Sequence, residues 1–242
     1  ASTSIAGMSV AFPVGCGLAL VLGVINNLRV EMSQGALKSN LTLLAIGVAL
    51  VVVAVILNGI ASGKKAGNAE ISKADQRKGI ILAVVAGVVM SFFSSFVMKA
   101  MDLKDFANME PGKVGPYTAI VVFSLAVLVS HFVFGPIFMK WPFQGAPVKM
   151  SEYFKGNSKT HLVGMLGGCI WCLGTALSYI AAGKAGASAS YALGQGAPMV
   201  AAIWGVFVWK EFKGSNKTVY NLLGMMFLFF IVGLGMIVAA GM

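Results

Sequence analysis

Residues 6–17 read AGMSVAFPVGCG, and residues 185–196 read AGASASYALGQG. Both fit the pattern Ala-Gly-x-Ser-x-x-aromatic-x-x-Gly-x-Gly, so one glycine-studded apolar segment occurs twice in the chain. After each copy the chain stays apolar as far as a glutamate in a basic, glycine-containing hairpin, Glu31 in the first case and Glu211 in the second. Another apolar segment follows each hairpin. The repeated unit is therefore helix, charged hairpin, helix.

The rest of the chain is built from similar apolar segments. Its 242 residues are 58% hydrophobic and 11% charged, with a mean hydropathy of +0.86, whereas soluble domains carry about 25% charged residues. A helix needs roughly 20 apolar residues to cross a bilayer, and its backbone bonds within itself. Seven segments are this long without a charge, so we predict an all-α, multi-pass membrane protein rather than a β-barrel. Spans one to seven are Ala1–Leu28, Leu41–Ser62, Gly79–Met98, Val114–Met139, Leu162–Gly183, Ala185–Trp209 and Thr218–Met242.

The net charge of +10 does not indicate a nucleic-acid partner, because all 18 basic residues lie in connections or at helix ends. Basic loops beside anionic lipid explain them. Twelve of the 18 lie in the connections between spans two and three, four and five, and six and seven. This bias predicts that those connections face the cytoplasm. We expect the lipid bilayer and a small molecule as partners, and a homo-oligomer stays open.

Spans one and six are five crossings apart, so the two copies of the motif face opposite ways in the membrane. Inverted repeats of this kind are typical of transporters with a site near the bilayer midplane. We predict that residues 1–62 are the last two helices of an N-terminal repeat, 63–78 a polar connecting loop, and 79–242 a complete five-helix C-terminal repeat. Three helices would then precede Ala1. The alternative is that small-residue helices look alike by composition alone.

The motifs resemble a known family. AGMSVAFPVGCGLALVLGVI and AGASASYALGQGAPMVAAIWGVFVWKEFKG are similar to the fourth and ninth helices of the drug/metabolite transporter superfamily. Within it, APMVAAIWGVFVWKEFKG resembles the glucose/ribose porter and ureide permease branch. The resemblance covers the chain as helices four to ten of a ten-helix member and implies two inverted five-helix repeats around a cavity that moves small organic solutes. The usual topology of this superfamily places the C-terminus inside, opposite to the charge bias, so the orientation stays open.

Polar and aromatic side chains within the spans are the candidates for contact with a solute. A buried glutamine is costly unless it forms hydrogen bonds, and a tyrosine and a methionine share its face of span six. Aromatic side chains on span five and serines on span three each share one face. The alternatives are interhelical bonds, core packing and serine bonds to the same helix. The predicted substrate-binding residues are Gln195, Tyr191, Met199, Trp171, Tyr179, Ser91 and Ser95.

Other intramembrane residues are predicted to pack, kink or couple. The small residues expected at helix contacts are Gly15, Gly17, Gly194, Gly196, Gly164 and Gly168, and the expected kinks are Pro13 and Pro198. A coupling or gating role is predicted for His131 and Lys99, with a neutral, bonded imidazole and a snorkelling lysine as the alternatives. We expect Glu31 and Glu211 to pair with neighbouring basic residues.

These residues predict a secondary transporter that moves a small polar solute, such as a sugar or a ureide, across the plasma (inner) membrane by alternating access. No nucleophile–base pair or metal cluster is evident, so we expect no enzyme activity, metal or cofactor. Because none of the seven predicted spans contains a carboxylate, we expect weak or absent proton coupling. The alternatives are an exporter of amphipathic compounds, a non-transporting seven-helix protein or receptor, and a fragment.

Overall fold

The computed structural model describes residues 8–66, 73–142 and 145–242, with side chains from residue 14 to 65, 77 to 142 and 145 to 242. This part of the chain is helical, with no strand and only one isolated bridge. Its elements are α1 (Met8–Ser33), α2 (Leu41–Ala66), α3 (Lys73–Ala100), α4 (Pro116–Lys140), α5 (Met150–Phe154), α6 (Ser158–Ala185), α7 (Ala187–Gly194), α8 (Ala197–Ile203), a π-helix (Trp204–Val208) and α9 (Lys217–Ala240).

Within the described ranges, seven stretches are long and apolar enough to cross a membrane, which confirms the predicted multi-pass, all-helical fold class. Spans one to five are α1, α2, α3, α4 and α6; span six comprises α7, α8 and the π-helix; and span seven is α9. The predicted bounds of span one are wrong at its C-terminal end, because the apolar stretch runs Val14–Ser33 and includes Glu31. The start of predicted span one, residues 1–7, lies outside the described residues.

Asparagine caps begin three of these helices. Asn40 Oδ1 accepts from the backbone N–H groups of residues 42 and 43, at 3.1 and 3.2 Å. Asn157 caps α6, and Asn216 caps α9 through the Val219 N–H at 3.1 Å. An N-cap side chain satisfies one of the four N–H groups that a helix leaves without a partner. The caps therefore fix the residue at which each of these three helices begins.

Spans two and seven form the tightest helix pair. The backbones touch where Gly47 faces Gly233: a Cβ on Gly47 would lie 2.8 Å from the Gly233 carbonyl oxygen, and one on Gly233 would lie 2.9 Å from that of Gly47. At one end the Asn40 N–H donates to the Ala240 carbonyl at 2.7 Å. At the other end the last turn of α2 lies beside the first turn of α9. The two helices are therefore antiparallel.

Spans one and six are also antiparallel. Glu31, late in α1, bonds to Ser188 in the first turn of α7, whereas Ala19, earlier in α1, is bonded by Tyr191, further along α7. The two helix–hairpin–helix units thus point in opposite directions, as an inverted repeat requires. These four spans enclose the main apolar core. Span three packs on span one, while spans four and five lie outside them with mostly exposed side chains.

The connection between α3 and α4 is organised by the Asp102 carboxylate. Its Oδ2 accepts from the Glu110 N–H at 2.8 Å, and its Oδ1 accepts from the Lys104 N–H at 3.0 Å. The bond from the Glu110 N–H contributes most to holding the pKa of Asp102 below its ordinary value, and the bond from Lys104 acts in the same direction. A depressed pKa means that the carboxylate stabilises the loop above the ordinary aspartate pKa of about 3.9 and that this contribution is lost as the pH falls through the folded-state value.

We therefore expect Asp102→Ala to raise the hydrogen-exchange rate of the Glu110 amide about tenfold at pH 7, because that amide loses its charged acceptor. In the unsubstituted chain, protection corrected for intrinsic exchange should stay level between pH 5 and 8 and decline below about pH 4. Glu110→Ala is the control, since it removes only the exposed ion pair with Lys104. Equal protection in both variants would contradict the role of Asp102.

Candidate functional site

Span six is interrupted near its middle. Helix α7 ends at Gly194, a turn follows at Gln195 and Gly196, and α8 begins with Pro198 in its first turn. The N–H groups of Gln195 and Gly196 bond to carbonyls only three residues back, at 3.1 and 2.9 Å. Because proline has no N–H, the Gly194 carbonyl lacks the donor that a continuous helix would give it. The turn therefore leaves backbone polarity inside a membrane span.

Gln195 lies within this turn. Its side chain is half-buried, and the described residues give its amide no hydrogen-bond partner. Discontinuous helices with freed carbonyls and polar side chains are how many transporters build a solute site near the midplane. By contrast, α1 runs unbroken through position 13 of the corresponding repeat, and the side chain of Pro13 lies outside the described residues.

Beyond the turn, span six lines a cavity. Helix α8 passes into the π-helix, in which the Trp209 N–H bonds to the Trp204 carbonyl five residues back at 3.0 Å; such irregular turns are frequent at functional sites. The cavity has a volume of about 190 Å³ and lies between spans two and six. We call this side of the bundle the Glu211 end. The lining residues are Asn58, Gly59, Ser62, Pro198, Ala201, Ala202, Gly205, Trp209, Glu211 and Phe212.

The opposite end of span six is closed by a buried carboxylate, and we call it the Glu31 end. Glu31 is fully buried, and its Oε1 accepts from the Ser188 N–H at 2.6 Å and from the Ser188 hydroxyl at 2.8 Å. Its Oε2 has no partner among the described atoms. The preceding turn needs glycine, because Gly186 has φ +85° and a Cβ there would lie 2.8 Å from Glu31 Oε1.

Further bonds tie the first hairpin to its neighbours at the Glu31 end. The Lys38 ammonium donates to the carbonyls of Leu103 and Gly183. Gln34 donates to the Met98 carbonyl at 3.2 Å and accepts from the Leu103 N–H at 3.2 Å. Hydrogen bonds, in addition to apolar packing, thus join spans one, three, five and six at this end.

The prediction that Glu31 and Glu211 pair with basic residues is wrong for the part of the chain that the structure describes. Its two ion pairs are Lys104–Glu110 and Lys155–Glu152. Ser188 and the N-terminus of α7 donate hydrogen bonds to Glu31 in place of the expected basic side chain. The expectation that no acidic residue lies in a span is also wrong, because Glu31 lies in span one.

The predicted aromatic residues fall into two groups. Tyr191 positions spans one and six: its hydroxyl donates to the Ala19 carbonyl at 2.8 Å, and its ring occupies the space beside Gly23. Trp171 and Tyr179 instead meet at Phe123 of span four, with ring centroids 5.9 and 6.2 Å from its own. Trp171 is half exposed, whereas Tyr179 is buried and its hydroxyl has no partner in the described part.

The remaining predicted residues do not lie together at the turn of span six. Ser91 and Ser95 bond to carbonyls three residues back in their own helix, at 2.7 and 2.8 Å, although Asn26 also donates to Ser91. Met199 packs against the main core. The remaining two, Lys99 and His131, are exposed on α3 and α4.

Only some of the predicted packing glycines lie at close contacts. Gly15 faces the Ala83 carbonyl at 3.5 Å, and Gly196 meets Leu234 at 3.1 Å. No described atom lies within 4 Å of a Cβ built on any of the other four, which are Gly17, Gly164, Gly168 and Gly194. Closer contacts between helices involve glycines that were not among those predicted to pack, including Gly23, Gly47, Gly87 and Gly233.

Sequence reasoning also missed Phe123, Asn58 and the bond between Glu31 and Ser188. A signal for the last was present, because Ser188 is the serine of the repeated motif and Glu31 is the glutamate of the repeated hairpin. Asn58 carried the same signal as Gln195, an amide inside a span, whereas Phe123 carried none, since it is one of several phenylalanines in span four.

Comparison with known proteins identifies the family. The family model described as "Ureide permease" matches residues 68–240, well over half of the chain. The chain belongs to the ureide permease family. The match covers spans three to seven, including the interrupted span and the α7 side of the Glu31 closure. An enzyme is therefore the less favoured class, and the ureide permease family fits a multi-pass protein of the membrane.

Similar proteins are known from Arabidopsis thaliana. The chain is 27% identical to Ureide permease 1, 24% to Ureide permease 2 and 25% to Ureide permease 4, each over 163 residues. The aligned region is 67% of this chain but only 42%, 41% and 40% of those proteins. The match thus spans less than half the length of these ureide permeases. No solved structure matches the chain.

Proposed function

We propose that this ureide permease-family chain forms part of a path for a small polar solute of the ureide class, with the turn at Gln195 as its contact site. The observation that carries the proposal is the interruption of span six between a closed Glu31 end and a cavity at the Glu211 end. Such an arrangement suits alternating access, in which one end is sealed while the other is open.

The solute would meet both an amide and aromatic rings. The Gln195 side chain offers a donor and an acceptor, which match the N–H and C=O groups of a ureide. On span five, next to α7 along the chain, Trp171 presents a half-exposed ring, and the buried Tyr179 packs on the same Phe123 with a hydroxyl that has no partner among the described residues. The serine and methionine candidates, Ser91, Ser95 and Met199, have bonds or packing within the bundle and would act by holding this shape.

We expect Gln195→Ala to lower the efficiency of uptake of a labelled ureide about tenfold, which corresponds to one hydrogen bond at the upper end of the neutral range. Uptake into vesicles that contain the purified protein measures it. The control is Asn221→Ala, which removes an amide that lies in span seven but is exposed on its outer surface. If both variants transport like the unsubstituted chain, the turn is not the contact site. Competition by sugars and by amphipathic cations separates a ureide path from a sugar path or an exporter.

The expectation of weak proton coupling loses its basis with Glu31 in span one. Uptake with and without a pH gradient, in Glu31→Gln and His131→Ala, tests which residue carries any coupling. Gradient dependence that survives both substitutions would exclude both residues.

We also propose that the chain corresponds to helices four to ten of a ten-helix drug/metabolite transporter fold, with residues 1–62 and 79–242 in opposite repeats. Support comes from the opposed hairpins and from an asymmetry between the two copies. Span three covers Gly15 of span one, whereas no described atom lies near its counterpart Gly194. An experimental structure of a full-length relative tests this: a half-turn axis in the membrane plane should superpose spans one and two on six and seven.

A further inference from the structure

A basic hollow lies where α2 ends and α9 begins. It has a volume of about 380 Å³, and three exposed lysines surround it, two from the last turn of α2 and one from the connection that precedes α9. Its lining residues are Lys64, Lys65, Lys213, Gly214, Ser215, Asn216 and Val219. Three ammonium groups around one opening repel each other, so the hollow favours an anion.

The described part of the chain supplies no such anion. The two ion pairs of the described residues involve Lys104 and Lys155, so neither of them includes a lysine of the hollow. Lys65 is held over the Phe212 ring, with its ammonium nitrogen 5.1 Å from the ring centroid. A cation–π contact of this kind orients the ammonium group without neutralising its charge.

The first turn of α9 adds backbone donors. Asn216 caps the Val219 N–H at 3.1 Å, but within the described residues the N–H groups of Lys217 and Thr218 have no hydrogen bond. Helix α9 has 24 residues, so its N-terminus carries the partial positive charge of a long helix. Free N–H groups at such an end bind phosphate oxygens readily.

The location of the hollow indicates which anion it takes. Span two ends at Lys65 and span seven begins at Lys217, so the hollow lies at the membrane surface. One helical turn into the span, Ile60 precedes Lys64 and Tyr220 follows Asn216; these two side chains are 43% and 46% exposed. Basic groups directly above exposed apolar side chains match a phosphate headgroup above its acyl chains.

We propose that the basic hollow binds the headgroup phosphate of an anionic phospholipid. The lysine ammonium groups and the Ser215 hydroxyl would contact the phosphate oxygens, and Ile60 and Tyr220 would contact the start of the acyl chains. This site is independent of the proposed solute path, because none of its lining residues lines the cavity at the Glu211 end.

The test is thermal unfolding of the purified full chain in a neutral detergent, with phosphatidylglycerol, phosphatidylcholine or inorganic phosphate added. With phosphatidylglycerol at about ten times its Kd, we expect the unfolding midpoint to rise by roughly 3–6 °C, and no rise with the other two. The triple variant Lys64→Gln, Lys65→Gln, Lys213→Gln should lose this rise. The charge-matched control is Lys140→Gln, Lys149→Gln, Lys159→Gln, which should keep it, because those lysines are exposed at the facing ends of α4 and α6 and in the connection between them.

Three results would overturn the proposal. Equal protection by inorganic phosphate would make the hollow a site for a free anion. Equal protection by phosphatidylcholine would reduce the effect to acyl-chain contact. A rise that persists in the Lys64/Lys65/Lys213 variant, or is lost equally in the control variant, would place the lipid elsewhere or reduce the effect to net charge.

Discussion

Glu31→Ala is expected to raise the exchange rate of the Ser188 amide hydrogen about 100-fold and to lower ureide uptake at least tenfold. The substitution removes the acceptor of two hydrogen bonds, at 2.6 and 2.8 Å, that join span one to the N-terminus of span six. Without Glu31 the Ser188 N–H and hydroxyl would be buried with no acceptor, at a cost of roughly 1–3 kcal/mol for each donor, so we expect a net loss of about 3 kcal/mol. Hydrogen exchange with mass spectrometry on peptides that cover residues 187–191 measures the first effect.

Two controls make this result specific. Glu152→Ala removes an exposed carboxylate paired with Lys155 and should change neither exchange nor uptake. Glu31→Gln keeps the shape and one acceptor oxygen, so it should fall between the unsubstituted chain and Glu31→Ala. Unchanged protection at Ser188 in Glu31→Ala would mean that the Glu31 end is closed by other contacts, such as those of Lys38 and Gln34.

The second large effect is expected at the crossing of spans two and seven. Gly233→Ala should lower the unfolding midpoint by about 4–8 °C, which corresponds to roughly 2 kcal/mol, because the new methyl group would lie 2.9 Å from the Gly47 carbonyl oxygen. The atom it meets is backbone, so the strain is relieved only if the two helices separate. Thermal unfolding in detergent with a fluorescent probe measures the midpoint.

Gly235→Ala is the matched control, two residues along the same helix, with no described atom within 4 Å of the added carbon. It should leave the midpoint unchanged or raise it, since alanine is favoured over glycine inside a helix by about 1 kcal/mol. If both substitutions lower the midpoint equally, the cost comes from the loss of glycine in general, and the backbone contact between Gly47 and Gly233 is not responsible.

The seven spans could be predicted because lipid imposes one rule on every segment: a long apolar run must bond its own backbone. The rule fails at the end of span one, where the charges of Arg29 and Glu31 marked the start of a connection in the sequence. The helix continues to Ser33 because donors from a segment more than 150 residues away satisfy that carboxylate. Local sequence cannot reveal such a partner.

The candidate site was predictable to a similar extent. Gln195 and Pro198 stand out because an amide and a missing N–H are unusual in a span, and the structure places both at the interruption. The close contacts were not predictable from glycine spacing. Gly164 and Gly168 have the spacing of a packing motif yet face open space in the described part, whereas Gly47 and Gly233, each without such a pattern, meet backbone to backbone.

The bond from the Ser188 main chain to Glu31 has an evolutionary consequence. A peptide N–H is present whichever side chain position 188 carries, proline excepted, so half of this closure survives replacement of the serine by alanine, glycine or cysteine. Relatives can therefore carry different residues at position 188 and keep the main-chain bond, whereas position 31 must keep a side chain that accepts it. Sequence comparison alone will register one side of the contact as variable although the contact itself persists.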